Sequence, residues 1–182
     1  LDDDLVDDGA GVVERAAARL KLSADHTVVG LAGATGSGKS SMFNALVGLD
    51  LAAVGVKRPT TSWTMACTWG AEGSGELLDW LGVPKRHQVT RNSMLDESVS
   101  EDRNLHGLVL LDLPDHDSTE VAHHVEVDRL VKLVDVLVWV LDPQKYADAA
   151  IHDRYLRPLA GYRDVMLVVL NQVDRLRSPE DV

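Results

Sequence analysis

The chain has 182 residues, a formal net charge of −11 and 45% hydrophobic residues. That length suits one globular domain with a sizeable core, and the acidity argues against a surface built for a nucleic-acid backbone, although a local basic site stays open. The single cysteine, Cys67, excludes an internal disulfide and fits a reducing compartment.

In chain order, LDDDLVDD at 1–8 carries five aspartates and reads as a solvated end. Residues 10–22, AGVVERAAARLKL, repeat apolar positions three and four apart, so a helix is expected. TVVGLA at 27–32 is a short β-rich run that leads into G-A-T-G-S-G-K-S-S at 33–41. A helix then runs over 40–48 and is closed by Gly48. Residues 49–61 read as a loop and 62–69 as a strand. Residues 71–104 are broken by Gly73, Gly75, Gly82 and Pro84 and read as an insertion, with a helical turn or two at 76–81. Strands are expected at 105–111, 135–141 and 165–170, and helices at 119–134 and 145–160. The longest apolar run, VDVLVWVL at 134–141, is far too short for a membrane span and suits a buried strand.

Continuous apolar strands alternating with helices imply an α/β fold: a mostly parallel sheet with helices on both faces, in three layers. An acidic end and helix over 1–26 would precede the nucleotide-binding domain at 27–182. Ligands of such sheets bind beyond the carboxyl ends of the strands. The polar motifs sit there: the Gly-rich loop, Asp112 and Asn171.

Gly33 to Ser40 matches G-x-x-x-x-G-K-[ST] at every fixed position, between a strand and a helix. Glycines let backbone N–H groups turn inward around phosphate oxygens, and the helix adds its positive end. Thr35, Gly36, Ser37, Gly38 and Ser41 would line the phosphates, Lys39 would reach the outer ones, and Ser40 would ligate Mg²⁺. A dinucleotide site competes poorly, because the pattern counted from Gly36 needs a glycine where Ser41 stands.

NQVD at 171–174 follows a buried strand. Asp174 there can accept the N1–H and 2-amino hydrogens of guanine, whereas adenine would leave the carboxylate unpaired. Asn171 and Gln172 join the same nucleotide-binding set. DLPD at 112–115 puts Asp112 where a carboxylate would hold Mg²⁺ through water. PTT at 59–61 offers Thr61, or its neighbour Thr60, as a second hydroxyl ligand.

In that order, GATGSGKS, PTT, DLPD and NQVD resemble the motifs of translation-factor-like GTPases. GKSSMFNALVG followed by KRPTT is similar to the Era-like and dynamin-like branch, and DLPDHDS with DPQKYADAAIHDRYL looks like the bacterial YfjP-like GTPases. The resemblance covers 27–174 apart from 71–104. It implies GTP hydrolysis with Mg²⁺ as cofactor, two switch loops, and GTP and GDP as ligands. It also implies that the chain stops before a last strand and helix. That stop, with a start at Leu1 and no signal peptide, suggests a cytoplasmic domain excised from a longer protein. A homodimer through the nucleotide face, and a membrane or ribosome link through flanking regions, stay open as partners; direct nucleic-acid binding is not expected.

Three residues are the catalytic candidates. Lys39 would stabilise phosphate charge. His116 aligns with the family's water-positioning residue and could orient the attacking water. Arg58, three residues before Thr61, could act as an arginine in cis. Two departures from the family pattern stand out. Asp115 replaces a glycine whose N–H normally meets the γ-phosphate, and Gln172 replaces a lysine that stacks along the base. Gly36 stands where potassium-dependent relatives carry asparagine, so no potassium requirement is expected. Two further readings remain: a GTP-gated interaction module with little hydrolysis, and a P-loop kinase, for which only Arg86 and Arg91 could serve as lid arginines.

Overall fold

The computed structural model describes residues 3–48, 63–70, 72–91, 105–117, 121–143, 153, 157 and 164–176. Among them run α1 (Asp3–Leu22), β1 (Thr27–Gly33), α2 (Lys39–Val47), β2 (Met65–Trp69), α3 (Ser74–Trp80), β3 (Gln88–Arg91), β4 (Leu108–Asp112), α4 (Val121–Leu130), β5 (Val136–Leu141) and β6 (Met166–Leu170). The loop expected at 49–61 and the helix expected at 145–160 lie outside the described residues, apart from Asp153 and Arg157 of the latter.

The six strands form one sheet in the order β3-β2-β4-β1-β5-β6. β1 is central and pairs in parallel with β4 and β5, and β5 pairs in parallel with β6. β2 runs antiparallel to β4, and β3 is parallel to β2. The sheet is therefore mostly parallel, as the apolar runs imply.

Alternation along each strand feeds two cores, because successive side chains point to opposite faces. Leu31 of β1 and Leu110 of β4 pack with Phe43 and Val47 of α2 on one face. Ala32 and Leu111 pack with Leu77 of α3 and Leu130 of α4 on the other. Both faces are covered, which makes three layers and explains why the strands read as unbroken apolar runs.

Two details differ from the sequence expectation. The helix begins at Asp3 rather than residue 10, so the aspartate-rich start belongs to α1. Carboxylates at a helix start are favoured by the partial positive charge there. Part of the 71–104 segment joins the sheet: β3 registers with β2 from Ala66↔Gln88 to Trp69↔Arg91. With four residues of which none is fully buried, β3 has neither the length nor the apolar run that marks the other strands.

Candidate functional site

β1 delivers the chain into the Gly-rich loop at the carboxyl end of the sheet. Glycine is required at Gly33, where a Cβ would lie 2.6 Å from Val140 O and 2.8 Å from Ser37 Oγ. It is required again at Gly38, whose φ is +87° and whose Cβ would lie 2.2 Å from Asn171 Nδ2. Without side chains at these points the loop seats against β5 and the 171–172 segment, and α2 starts at Lys39, so that Lys39, Ser40 and Ser41 of its first turn line the cleft.

Lys39 is the buried cation of the site, 2% exposed. Its Nζ donates to Asp112 Oδ1 at 2.7 Å and lies 3.5 Å from Asp115 Oδ1. Ser40 Oγ donates to Asp112 Oδ2 at 2.7 Å. A hydroxyl and a carboxylate so close at a helix start form an all-oxygen pair, the chemistry that a hard divalent cation selects. Among the described residues no group of three or more His, Cys, Asp or Glu could hold a metal. A magnesium ion, which keeps several waters and takes the rest of its shell from phosphates, does not need one. Ser40 and Asp112 thus fit such an ion.

The 171–174 segment closes the other side. Asn171 Nδ2 donates to Ser37 O at 2.9 Å, and Gln172 Nε2 donates to Gly36 O at 2.6 Å. Gln172 takes a left-handed conformation, φ 56°, which turns the chain into a short 3-10 turn at Val173–Arg175. Asp174 is exposed on the wall of the same cleft, whose volume is about 490 Å³. That size suits a small-molecule ligand.

The structure brings together Thr35, Gly36, Gly38, Lys39, Ser40, Ser41, Asn171, Gln172 and Asp174 around this cleft. Ser37 lies beneath it, fully buried. His116 is not among the lining residues. Its ring is 5% exposed and sits edge-on to Trp139, with centroids 5.7 Å apart. In this structure the imidazole packs against the Trp139 indole. Arg58 and Thr61 lie outside the described residues.

Three residues at the site were missed by the sequence reading. Asp117 Oδ1 accepts from Thr35 N at 2.7 Å and from Thr35 Oγ1 at 2.8 Å. Asp142, buried at the end of β5, lies 3.4 Å from Arg175 Nη1, and Arg175 lines the cleft beside Asp174. The rule that ligands sit beyond strand carboxyl ends would have flagged Asp142, since it follows β5 as Asp112 follows β4.

A central parallel strand, a glycine-rich turn, a buried lysine at a helix start and a carboxylate at the end of the neighbouring strand define a P-loop nucleotide-binding α/β domain. The chain belongs to the family described as 50S ribosome-binding GTPase, whose model matches residues 28–172. No curated protein gives a significant match. Two solved structures, both described under an oligomerised bacterial dynamin pair that senses and tethers membranes at long range, share the fold. They have TM-scores of 0.54 and 0.53 at 17% and 16% identity. Each alignment covers 94% of this chain but only 30% and 31% of the neighbour. The chain thus spans about a third of the length of those proteins. No helix among the described residues is long and apolar enough to cross a membrane.

Proposed function

We propose that this domain binds GTP and GDP in the cleft above β1 and hydrolyses GTP in a Mg²⁺-dependent switch cycle. The observation that carries this reading is the buried Lys39, held with Ser40 on Asp112 under a loop shaped by Gly33 and Gly38. Lys39 and the loop amides would hold the phosphates. A magnesium ion entering with the nucleotide would be held by Ser40, with Asp112 behind a water, and would offset charge on the outer phosphates. Thr61 is the proposed second hydroxyl, and Arg58 a proposed cation for the transition state.

Asp174 would choose the base, accepting from guanine N1–H and the 2-amino group. Gln172 would not stack along that base, since its amide is committed to Gly36 O. In hydrolysis a water would attack the γ-phosphorus, the bond to the bridging oxygen would break, and GDP and phosphate would leave. For His116 to orient that water, its ring would first have to leave Trp139.

A second reading has its own support. Asp115 stands beside the lysine where the family has glycine, and His116 is turned inward. Both favour slow turnover and a domain whose nucleotide mainly orders loops for a partner. The membrane tethering and oligomerisation described for the structural neighbours make a second copy on the nucleotide face, next to a membrane, the partner arrangement proposed for the full protein. A ribosomal partner, which the family description names, is the alternative. A closer kinship to Era-like or YfjP-like GTPases rests on the motif style alone.

Isothermal titration of GTP, GDP and ATP with Mg²⁺, on the wild type and on Asp174→Ala, tests the reading. A guanine preference that the substitution abolishes is expected. Equal binding of ATP would refute the role of Asp174. Phosphate release from GTP then separates the switch enzyme from the slow module.

A further inference from the structure

The segment after β4 reaches back onto the phosphate loop. Asp115 Oδ1 lies 3.5 Å from Lys39 Nζ, and Asp115 Oδ2 lies 3.0 Å from Thr35 Oγ1, whose single hydroxyl proton it shares with Asp117 Oδ1. Asp117 fixes the same threonine through both its backbone N–H and its hydroxyl. Asp115 is 9% exposed and Lys39 2%, so their mutual attraction is screened far less than a surface pair would be. One carboxylate therefore spans an ammonium and a loop hydroxyl. The ammonium is the donor that the outer phosphates take in a loop of this type, and Thr35 lines the same cleft.

We propose that Asp115 sets the preference between diphosphate and triphosphate nucleotides, because its carboxylate holds the place at Lys39 and Thr35 that the third phosphate needs. The inference rests on the cleft being a nucleotide site but not on the identity of the base. Asp112 is a different case. It is bonded to Ser40 as well as to Lys39, and a cation entering with the nucleotide would offset its charge. Asp115 instead reaches from Lys39 across to Thr35, and two anions sharing one ammonium within a few ångström repel each other. A diphosphate would bring one phosphate fewer to Lys39 and would leave Asp115 beside it. A triphosphate has to displace it and so frees Thr35 from one of its carboxylates. Glycine at this position would impose no such cost.

Calorimetric titration decides the matter. The ligands are GDP and the β,γ-imido analogue of GTP, with their adenine counterparts, in Mg²⁺, against wild type, Asp115→Asn and Asp117→Asn. The readout is the ratio of triphosphate to diphosphate affinity within one base. Asp115→Asn keeps the shape and removes the charge, and the ratio should move toward the triphosphate by on the order of tenfold. Asp117→Asn, whose carboxylate bonds Thr35 in the contacts described, should change both affinities alike and leave the ratio near that of the wild type. An unchanged ratio in a folded Asp115→Asn protein overturns the proposal, and Asp115→Ser carries the same expectation if the asparagine variant does not fold. Adenine and guanine nucleotides binding equally, with the ratio still shifting, would sink the reading of Asp174 and support this one. No binding of any nucleotide to wild type or variant would overturn both.

Discussion

The two ends of the central strand carry similar chemistry to different ends. At its carboxyl end, Lys39 meets Asp112 and Asp115 beneath an open cleft. At its amino end, Arg19 of α1 bonds Ser23 O at 2.6 Å, His26 O at 2.7 Å and Asp135 Oδ2 at 2.8 Å, while Asp135 also accepts from Val28 N at 2.7 Å. Arg19 spends two of its three described bonds on backbone carbonyls and the third on Asp135, and so ties α1 to the sheet. Lys39 spends none on backbone in the bonds described, and its partners are side chains that a ligand can displace. A cation bound to carbonyls is a fastener, and a cation bound to exchangeable carboxylates beside a cleft is a receptor.

The sharpest way to break this contrast is Lys39→Ala. Loss of a buried, hydrogen-bonded cation from a binding site costs about 2–5 kcal/mol of binding. Titration should therefore show nucleotide affinity falling by a hundredfold or more. Affinity within a few fold of wild type would remove Lys39 from the site.

Arg19→Ala should do the reverse. Three bonds are lost, but Asp135 keeps its backbone donor and is partly solvated. A stability loss of about 1–3 kcal/mol in denaturant unfolding is expected, with nucleotide affinity unchanged. A large affinity loss in a folded variant would mean that the two ends are coupled.

Two glycines sharpen the receptor end. Gly36→Ala meets nothing within 4 Å and bears only its φ of +79°, a cost of about 1–2 kcal/mol. Gly38→Ala bears the same backbone cost and also drives a Cβ into the Asn171 amide. It should lose nucleotide binding more than Gly36→Ala does, and equal affinities would show that the Asn171–Ser37 bond does not shape the cleft.

The smallest effect lies at the fastener end. Burial, and then the nearby Arg19, lower the pKa of His26 below its ordinary value of 6.5; His106 lowers it further while Asp25 raises it. The folded state therefore favours the neutral ring, and the unfolded chain takes up a proton first as pH falls. Stability from this group is full above about pH 6.5 and declines as pH drops below that value toward the folded pKa. Melting curves at pH 7.5 and 5.5 should show a small loss in the wild type that shrinks in His26→Gln. An equal loss in both would assign the pH dependence elsewhere.

Much of the fold was legible because burial on both faces leaves a plain mark. TVVGLA, LVLL and VLVWVL are uninterrupted apolar runs, and each became a central strand. β3 escaped because an edge strand of four residues, none of them buried, has no period to detect. The start of α1 escaped because aspartates at a helix terminus look like a solvated tail until the helix is seen. In the site, residues at fixed spacing within one loop were readable. Partners brought in from distant segments, Asp117 on Thr35 and Asp142 on Arg175, were not.

What the sequence determined by itself is what lies close along the chain: the glycine positions that let the loop bend, the lysine and serine at the start of α2, and the apolar strands that bury them. The tertiary structure decided where side chains some 20 to 140 residues apart come to rest. It put His116 against Trp139, the Gln172 amide on Gly36, and the Asp115 carboxylate beside Lys39. The reason is physical. Backbone conformation follows from neighbours, whereas a buried charge has to find its counter-charge in space, and only the packed sheet says which one is within reach.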